Sequence, residues 1–402
     1  MVSVPAHSAP QSSRRIVALD GLRGVAALMV LFHHTLLTLP DFANYEWGRP
    51  GATDHGVVEW LLIRTPLRLL WAGQERALLF FVLSGFVLGL PWLQGRAAPY
   101  GRFLLGRFCR IYPPYLAAML VAAVGSVVLG GVRLDRATVY FNQLGWSFHL
   151  SWLAFPSIVA ILNNPSSRYM NEAVWSLVWE ARVALIFPFI VIPIVRWRNT
   201  GIGLVLLVLA IVRHLGTVLM PPSLNEVLNV PQDTFYYAEY FVLGTAVAAN
   251  RDAIAAWFGR SDQHAGPCCL IAGCLICWLP WPWHHDQIIG IGAAIILASI
   301  AGSDRVGSWL GRPSFIWLGR QSYSLFLIHL PVIMAVIIAF HGSVPVAACV
   351  AIVPLAIAVA EGFHRWVERP SVALAQHLTG YSRRPKPIAR SIAASAGAIA
   401  AP

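Results

Sequence analysis

Long apolar runs, separated by short polar segments, dominate the chain. A helix needs about 20 apolar residues to cross the hydrocarbon core of a bilayer. Ten runs approach or exceed that length: 16–39, 77–93, 111–132, 174–195, 201–219, 235–250, 266–283, 287–302, 316–340 and 344–361. The stretch 144–162 is also apolar, but Pro156 interrupts it, so we expect a re-entrant or interfacial helix there, or an eleventh span. The pattern predicts an all-α polytopic membrane protein with about ten transmembrane helices.

Composition supports this prediction and argues against a nucleic-acid partner. Of the 402 residues, 57% are hydrophobic and 12% are charged, whereas a soluble domain carries about 25% charged residues. The net charge is +11, but the basic residues are scattered through short loops and form no basic face with interleaved aromatic residues. We therefore expect the lipid bilayer, and not nucleic acid, as the partner of this surface.

The distribution of basic residues predicts the orientation in the membrane, because cytoplasmic loops carry an excess of Lys and Arg. With both termini in the cytoplasm, nineteen of the 29 Lys and Arg residues face the cytoplasm and three lie inside spans. The seven that face outward are Arg49, Arg64, Arg68, Arg76, Arg133, Arg136 and Arg168. This bias favours cytoplasmic termini.

The chain is expected to divide into three regions. Residues 1–13 are rich in Ser and Pro and are expected to be disordered, and the span that follows is interpreted as an uncleaved signal anchor. Residues 14–378 form the membrane domain. Residues 379–402 are basic and then rich in Ala and Ser, which is typical of a disordered cytoplasmic tail.

The first span carries Asp20, Arg23 and His34 on one helix face. Eleven steps of about 100° separate Arg23 from His34, which makes three turns plus roughly 20° and about 16 Å along the axis. Asp20 precedes Arg23 by three residues, within reach of a salt bridge. Ionisable groups inside a membrane face a protein interior or an aqueous cavity. A packing stripe is the plainer interpretation, but three groups in phase favour a working site.

Two further polar features lie in the third and fourth spans. Arg107 and Arg110 have the i, i+3 spacing that directs two guanidinium groups the same way, and Arg binds phosphate in a bidentate fork. The alternative is a topological anchor at a span end. Glu180 lies roughly 9 Å below the outer edge, at the depth of His34, so we expect the two to meet. The alternative is an ion pair with an Arg that only fixes packing.

Five short motifs follow one another along the chain. They are Leu-Asp20-Gly-Leu-Arg23-Gly with His34, Phe80-Phe81-x-x-Ser84-Gly85-Phe86, Arg107-x-x-Arg110-Ile-Tyr-Pro-Pro, Trp175-Ser176-Leu-x-x-Glu180 and Gly319-x-x-Ser322-Tyr323-Ser-Leu-Phe-Leu-Ile-His329-x-Pro331. Together they resemble the acyltransferase-3 family of integral membrane O-acyltransferases. The likeness runs from about residue 14 to residue 375, nearly the whole chain.

The resemblance implies an enzyme of the cell inner (plasma) membrane that needs no metal. It would move an acyl group, often acetyl, from cytoplasmic acyl-CoA to a hydroxyl of a carbohydrate or another acceptor. His34 would be the catalytic His with Arg23 as its helix partner, and Arg107 and Arg110 would contact the acyl donor. One departure from the family is Trp179-Glu180-Ala-Arg182, where relatives have an aromatic-rich run, and it puts the shape of the acceptor cavity in doubt.

The expected catalytic residues follow from the demands of the reaction. A sugar hydroxyl is a poor nucleophile, so a general base is needed, and a buried imidazole suits this role. We expect His34 to take the hydroxyl proton while Arg23, or another donor, stabilises the oxyanion or holds the thioester. A route through an acyl-His34 intermediate is the alternative. Asp20 and Glu180 complete the expected catalytic set, and the residues expected to bind substrate are Ser84, Trp175, Ser176, Tyr323 and His329.

Two other functions also fit a helical membrane protein. A proton-coupled solute transporter would carry intramembrane Asp, Arg, Glu and His as well, although no inverted repeat is visible in the sequence. A structural assembly subunit would explain the packing motifs but not the buried charges. Acylation of an acceptor by the purified protein, set against solute uptake in vesicles, separates these functions.

When fused to the C-terminal tail, a reporter that works only in the cytoplasm is expected to be active, because the Lys and Arg bias places both termini there. Activity of a reporter that works only on the side of the membrane away from the cytoplasm would contradict the predicted orientation. It would also contradict the cytoplasmic donor site.

Overall fold

The computed structural model describes residues 11–46, 56–71, 73–131, 133–144, 146, 159–162, 170–219, 230–279 and 285–380. This part of the chain is all-α and contains no strand. Its helices are α1 (Gln11–Leu36), α2 (Pro40–Glu46), α3 (Val57–Arg64), α4 (Gln74–Leu93), α5 (Tyr100–Leu129), α6 (Val139–Leu144), α7 (Trp175–Leu219), α8 (Val230–Ala249), α9 (Arg251–Arg260), α10 (Ala265–Trp278), α11 (His285–Gly302), α12 (Asp304–Leu310), α13 (Pro313–Arg320), α14 (Ser322–Ala339), α15 (Val346–Phe363) and α16 (Arg369–Thr379).

Seven helical stretches among the described residues are long and apolar enough to cross a membrane. The protein is therefore a multi-pass membrane protein, and the predicted all-α class is confirmed. Helix α7 has 45 residues and breaks at Arg198, whose φ of 53° and ψ of −123° are not helical. The predicted spans 174–195 and 201–219 lie on either side of this break. The count of ten spans and the cytoplasmic placement of the termini stay predictions.

Several expectations concern residues without a described structure. Residues 1–10 and 381–402, which make up most of the two expected disordered ends, lie outside the described residues. Most of the stretch 144–162 does so as well, so its assignment as a re-entrant helix or an eleventh span stays a prediction. The boundaries of the membrane domain also stay predictions.

Helix α1 packs against many other helices, including α4, α11, α13 and α14. Two apolar cores flank it. One contains fully buried aromatic residues of α7 and α8, such as Phe187 and Phe241, and the other contains residues of α5, such as Tyr115 and Met119. Because α1 is surrounded in this way, its polar residues face protein and not lipid.

Helices α4 and α8 touch through their backbones. A Cβ atom on Gly85 would lie 2.1 Å from the carbonyl oxygen of Phe241, and one on Gly244 would lie 1.7 Å from that of Val82. Thr245 adds a hydrogen bond from its hydroxyl to the Gly85 carbonyl oxygen, at 3.0 Å. Small residues at such contacts are what membrane helices use to approach closely. The Ser84-Gly85-Phe86 motif is therefore explained in part by packing.

Gly85→Ala is expected to destabilise the protein by about 1–3 kcal/mol, the usual effect of an extra methyl group in a packed interior. Gly203→Ala is the control, because a Cβ at Gly203 would meet nothing within 4 Å, and Ala is the better helix former. Melting temperatures in detergent measure both. Equal effects of the two substitutions would contradict the backbone contact.

Candidate active site

Two imidazoles meet where α1 and α14 face each other. His34, in the last turn of α1, has its Nδ1 atom 3.1 Å from Nε2 of His329. The ring centroids are 4.9 Å apart. His329 is fully buried and His34 is partly buried. These two residues, which we call the His pair, were predicted as a catalytic residue and a substrate-binding residue, and no contact between them was expected.

The hydrogen-bond partners assign the tautomers of the His pair. Nδ1 of His329 lies 3.0 Å from the carbonyl oxygen of Leu325, and a carbonyl only accepts, so this nitrogen donates. A neutral imidazole has one N–H, so Nε2 of His329 is an acceptor and receives the N–H of Nδ1 of His34. The same Nδ1 lies 3.0 Å from the Val30 carbonyl oxygen, a second acceptor. The Nε2 atom of His34 therefore keeps its lone pair.

His33 has a different environment from its neighbour. Its Nδ1 lies 2.7 Å from the carbonyl oxygen of Trp71, and its ring is buried. The His33 and His34 rings meet edge to face at 4.8 Å. His33 thus joins α1 to the segment that precedes α4, whereas His34 contacts α14.

A second polar group of residues lies near the middle of α1, about three turns from the His pair. Glu180 of α7 forms an ion pair with Arg107 of α5. Arg23 and Arg110 lie within electrostatic range of the same carboxylate. We call these four residues the Arg cluster. The cluster contains three guanidinium groups and the carboxylate of Glu180, and it brings together the Arg residues of two motifs.

The position of Glu180 corrects the expectation that its carboxylate meets the imidazole of His34. The predicted third span began at residue 111, whereas α5 begins at Tyr100. Arg107 therefore lies two turns inside a helix, where it reaches Glu180. A guanidinium is a far stronger partner for a buried carboxylate than a neutral imidazole. The alternative weighed from the sequence, an ion pair with an Arg of another helix, is the arrangement observed.

Asp20 and Arg23 correct a second expectation. Both side chains are partly buried, but the described ion pairs do not include one between them. The motif around them serves packing through its glycines: a Cβ on Gly24 would lie 2.6 Å from the backbone nitrogen of Gly319, and one on Gly319 would lie 2.0 Å from the Asp20 carbonyl oxygen. Helices α1 and α13 are thus in backbone contact. The catalytic role of Asp20 stays a prediction.

Two of the residues expected to bind substrate lie along the contact of α4, α7 and α8. Trp175 packs against Phe81 and Tyr237, with ring centroids 6.3 and 5.8 Å away. Ser84 is half-buried beside the contact at Gly85. Their roles in substrate binding stay predictions.

Two other expected substrate-binding residues donate to backbone carbonyl groups. The Ser176 hydroxyl lies 3.4 Å from the Ala173 oxygen, and the Tyr323 hydroxyl lies 2.9 Å from the Ile111 oxygen. Tyr323 is also within electrostatic range of Glu180 and Arg107. It therefore lies near the Arg cluster, away from the His pair, and its role in binding stays a prediction too.

A buried carboxylate that the sequence analysis did not single out lies near the Arg cluster. Glu368 is 6% exposed, accepts a hydrogen bond of 2.5 Å from the Ser324 hydroxyl, and lies 2.9 Å from Nδ1 of His364. Residues His364–Glu368 form a π-helical turn, a feature frequent at functional sites. The last predicted span ended at residue 361, so Glu368 was assigned to a loop. The i, i+4 spacing of His364 and Glu368 was the available signal.

A family model described as an acyltransferase domain matches residues 16–361. The chain belongs to the acyltransferase-3 family. The protein is therefore a membrane-embedded acyltransferase, as the five motifs predicted. No solved structure matches the chain.

Two relatives extend the comparison. "Protein 2 in picA locus" of Rhizobium radiobacter is 34% identical over 185 residues, which cover 43% of this chain and 81% of that protein. Peptidoglycan O-acetyltransferase OatA of Listeria monocytogenes is 22% identical over 353 residues, which cover 80% of this chain and 50% of that protein. The chain thus spans about half the length of OatA.

Glu180→Gln is expected to lower the free energy of unfolding by about 1–3 kcal/mol, because it leaves the partly buried Arg107, 15% exposed, without its counter-ion. Adding Arg107→Gln should recover part of this loss, since one uncompensated charge is removed. Unfolding in detergent measures the coupling between the two substitutions. The control pair is Arg213 and Glu239, 3.5 Å apart with the Arg side chain 34% exposed, where coupling below about 1 kcal/mol is expected. Additive effects in the Arg cluster would contradict the buried pair.

Proposed function

We propose that this acyltransferase moves an acyl group, with acetyl as the expected case, from cytoplasmic acyl-CoA to a hydroxyl of a carbohydrate acceptor. One observation carries the proposal: two kinds of chemistry are separated along α1. The Arg cluster includes Arg23, and an oriented imidazole stands at His34, about 16 Å further along the helix. The donor headgroup binds at the first and the transfer takes place at the second.

The Arg cluster suits the headgroup of acyl-CoA, which carries several phosphates. Arg binds phosphate through two parallel N–H groups, and the cluster brings three Arg residues to one place beside Glu180. The phosphates are too polar to enter the bilayer, so they stay at the cytoplasmic end. The pantetheine arm then extends along α1 and carries the thioester toward His34.

The His pair suits proton transfer during attack on the thioester. The acceptor hydroxyl oxygen forms a bond to the carbonyl carbon, its proton moves to Nε2 of His34, and the carbonyl electron pair moves onto oxygen. When the carbonyl bond re-forms, the C–S bond breaks and the thiolate takes the proton from His34. His329 supports this by holding Nδ1–H of His34, so that Nε2 is the nitrogen that accepts.

The carbohydrate acceptor is proposed from the relatives. The name of OatA describes transfer of acetyl to oxygen atoms of peptidoglycan. A carbohydrate of this kind lies outside the cytoplasm, which agrees with transfer at the end of α1 opposite the Arg cluster. We therefore place the protein in the cell inner (plasma) membrane, with the donor taken from inside and the acceptor modified outside.

His34→Ala is expected to abolish transfer from acetyl-CoA to peptidoglycan fragments while folded protein accumulates, because a general base contributes about 10²–10⁴ in rate. His329→Ala should lower turnover at least ~10-fold, about 1.4 kcal/mol of barrier. His329→Gln should restore part of it, because the amide oxygen accepts the same hydrogen bond. Mass spectrometry of the fragments measures the product.

His33→Ala is the matched control, since it removes an adjacent imidazole that bonds to Trp71 instead. We expect a lower melting temperature and a largely retained turnover per folded molecule. Equal losses in the His33 and His34 variants, or full activity in the His34 variant, would remove His34 as the base. A wild-type protein that forms no product from acetyl-CoA would contradict the proposed function.

A further inference from the structure

Arg76 is a buried guanidinium that the steps above leave unused. It lies in the first turn of α4 and is 2% exposed. Its Nη2 atom donates to the carbonyl oxygen of Leu69 at 3.3 Å. Its Nε and Nη1 atoms are buried, and no group in the described part of the chain accepts a hydrogen bond from either. The count of basic residues placed Arg76 in an outer loop, whereas the structure places it inside the protein.

Leaving a buried donor without an acceptor costs about 1–3 kcal/mol, and more for a charged group. Native proteins retain few such groups, and each one calls for an explanation such as a catalytic role or an absent binding partner. The neighbouring carboxylate of Glu75 does not supply the missing acceptor and lies 3.8 Å from Arg68. Nε and Nη1 of Arg76 thus each have an N–H group that donates to no acceptor among the described residues.

The segment that carries Arg76 wraps around the end of α1. The Trp71 carbonyl oxygen accepts a hydrogen bond from His33, and a Cβ on Gly73 would lie 2.7 Å from the His33 ring. Arg76 itself is within electrostatic range of both His33 and His34. Two open N–H groups therefore lie at the same end of α1 as the nitrogen that we propose as the base.

We propose that Arg76 is a catalytic residue that binds the acyl carbonyl oxygen through Nε and Nη1 and stabilises the oxyanion of transfer. The inference rests on the proposed function. As the acceptor oxygen attacks, the carbonyl electron pair moves onto oxygen, and a fixed guanidinium stabilises the charge where it develops. The pair returns when the C–S bond breaks, and Arg76 keeps all its protons. Arg23, the expected donor, lies about 16 Å from His34 along α1.

The test uses purified full-length protein and acetyl-CoA, with either water or peptidoglycan fragments as the acceptor. In Arg76→Met, kcat for hydrolysis and for transfer should both fall ~100-fold or more, the usual effect of losing an oxyanion donor, with little change in the KM for acetyl-CoA. The melting temperature should change little, because Arg76 donates one hydrogen bond among the described residues and is within electrostatic range of Glu75 and Glu46 without an ion pair to either. The control is Arg68→Gln, a nearby Arg that is 25% exposed, and it should keep kcat.

Arg76→Lys is the second variant, and it should retain an intermediate kcat because it keeps the charge without the fork. If Arg76→Met does not accumulate as folded protein, Arg76→Lys tests the proposal alone. A normal kcat in Arg76→Lys would then overturn it. Loss of transfer with normal hydrolysis would make Arg76 an acceptor-recognition residue, which also overturns it.

A lower melting temperature of Arg76→Met, with normal turnover per folded molecule, would reduce Arg76 to a structural charge. Failure of the proposed function is seen separately, in a wild-type protein with neither activity. In that case, a lower melting temperature of Arg76→Met still indicates a structural charge, and an unchanged melting temperature indicates that Arg76 does not stabilise the fold.

Discussion

Polar groups inside a membrane need partners from the protein, and the bundle is arranged around the partners that α1 requires. Isolated charges in hydrocarbon cost several kcal/mol. Helix α14 supplies His329 to His34, and helices α5 and α7 bring Arg107 and Glu180 to the level of Arg23. Close packing of α13 against α1 adds a backbone contact at Gly24. Lipid cannot solvate the polar residues of α1. Both polar sites thus exist because other helices cover these residues.

The two sites differ in the kind of electrostatics that they use. The Arg cluster holds three guanidinium groups, which suit a permanently anionic ligand that arrives and leaves. The His pair holds neutral rings joined by a directional hydrogen bond, which suits a proton that is taken up and returned within one cycle. Placing both on one rigid helix keeps their separation constant. Under the proposed function, the donor that bridges them would be selected by its length as well as by its charge.

The fold class and the residues of the site were predictable from the sequence, but their partners were not. Apolar run lengths predict spans because a bilayer has a set thickness. Helical periodicity placed Arg23 and His34 on one face of α1, since it concerns positions within a single helix. The contacts of Glu180, His329 and Arg76 depend on how different helices are shifted and rotated against each other. Helical periodicity and hydropathy carry no information on how two helices are shifted or rotated against each other. Depth in the membrane alone therefore suggested the wrong neighbour for Glu180.

The backbone contact at Gly85 also restricts which parts of the protein can move. If α4 changed its register by one residue, with a shift of about 1.5 Å and a turn of about 100°, the Cβ atom of Ser84 or Phe86 would take the position that lies 2.1 Å from the Phe241 carbonyl oxygen. Helices α4 and α8 therefore behave as one rigid unit, with Arg76 in the first turn of α4. A movement of the bundle that keeps this contact intact would therefore have to move α4 and α8 together.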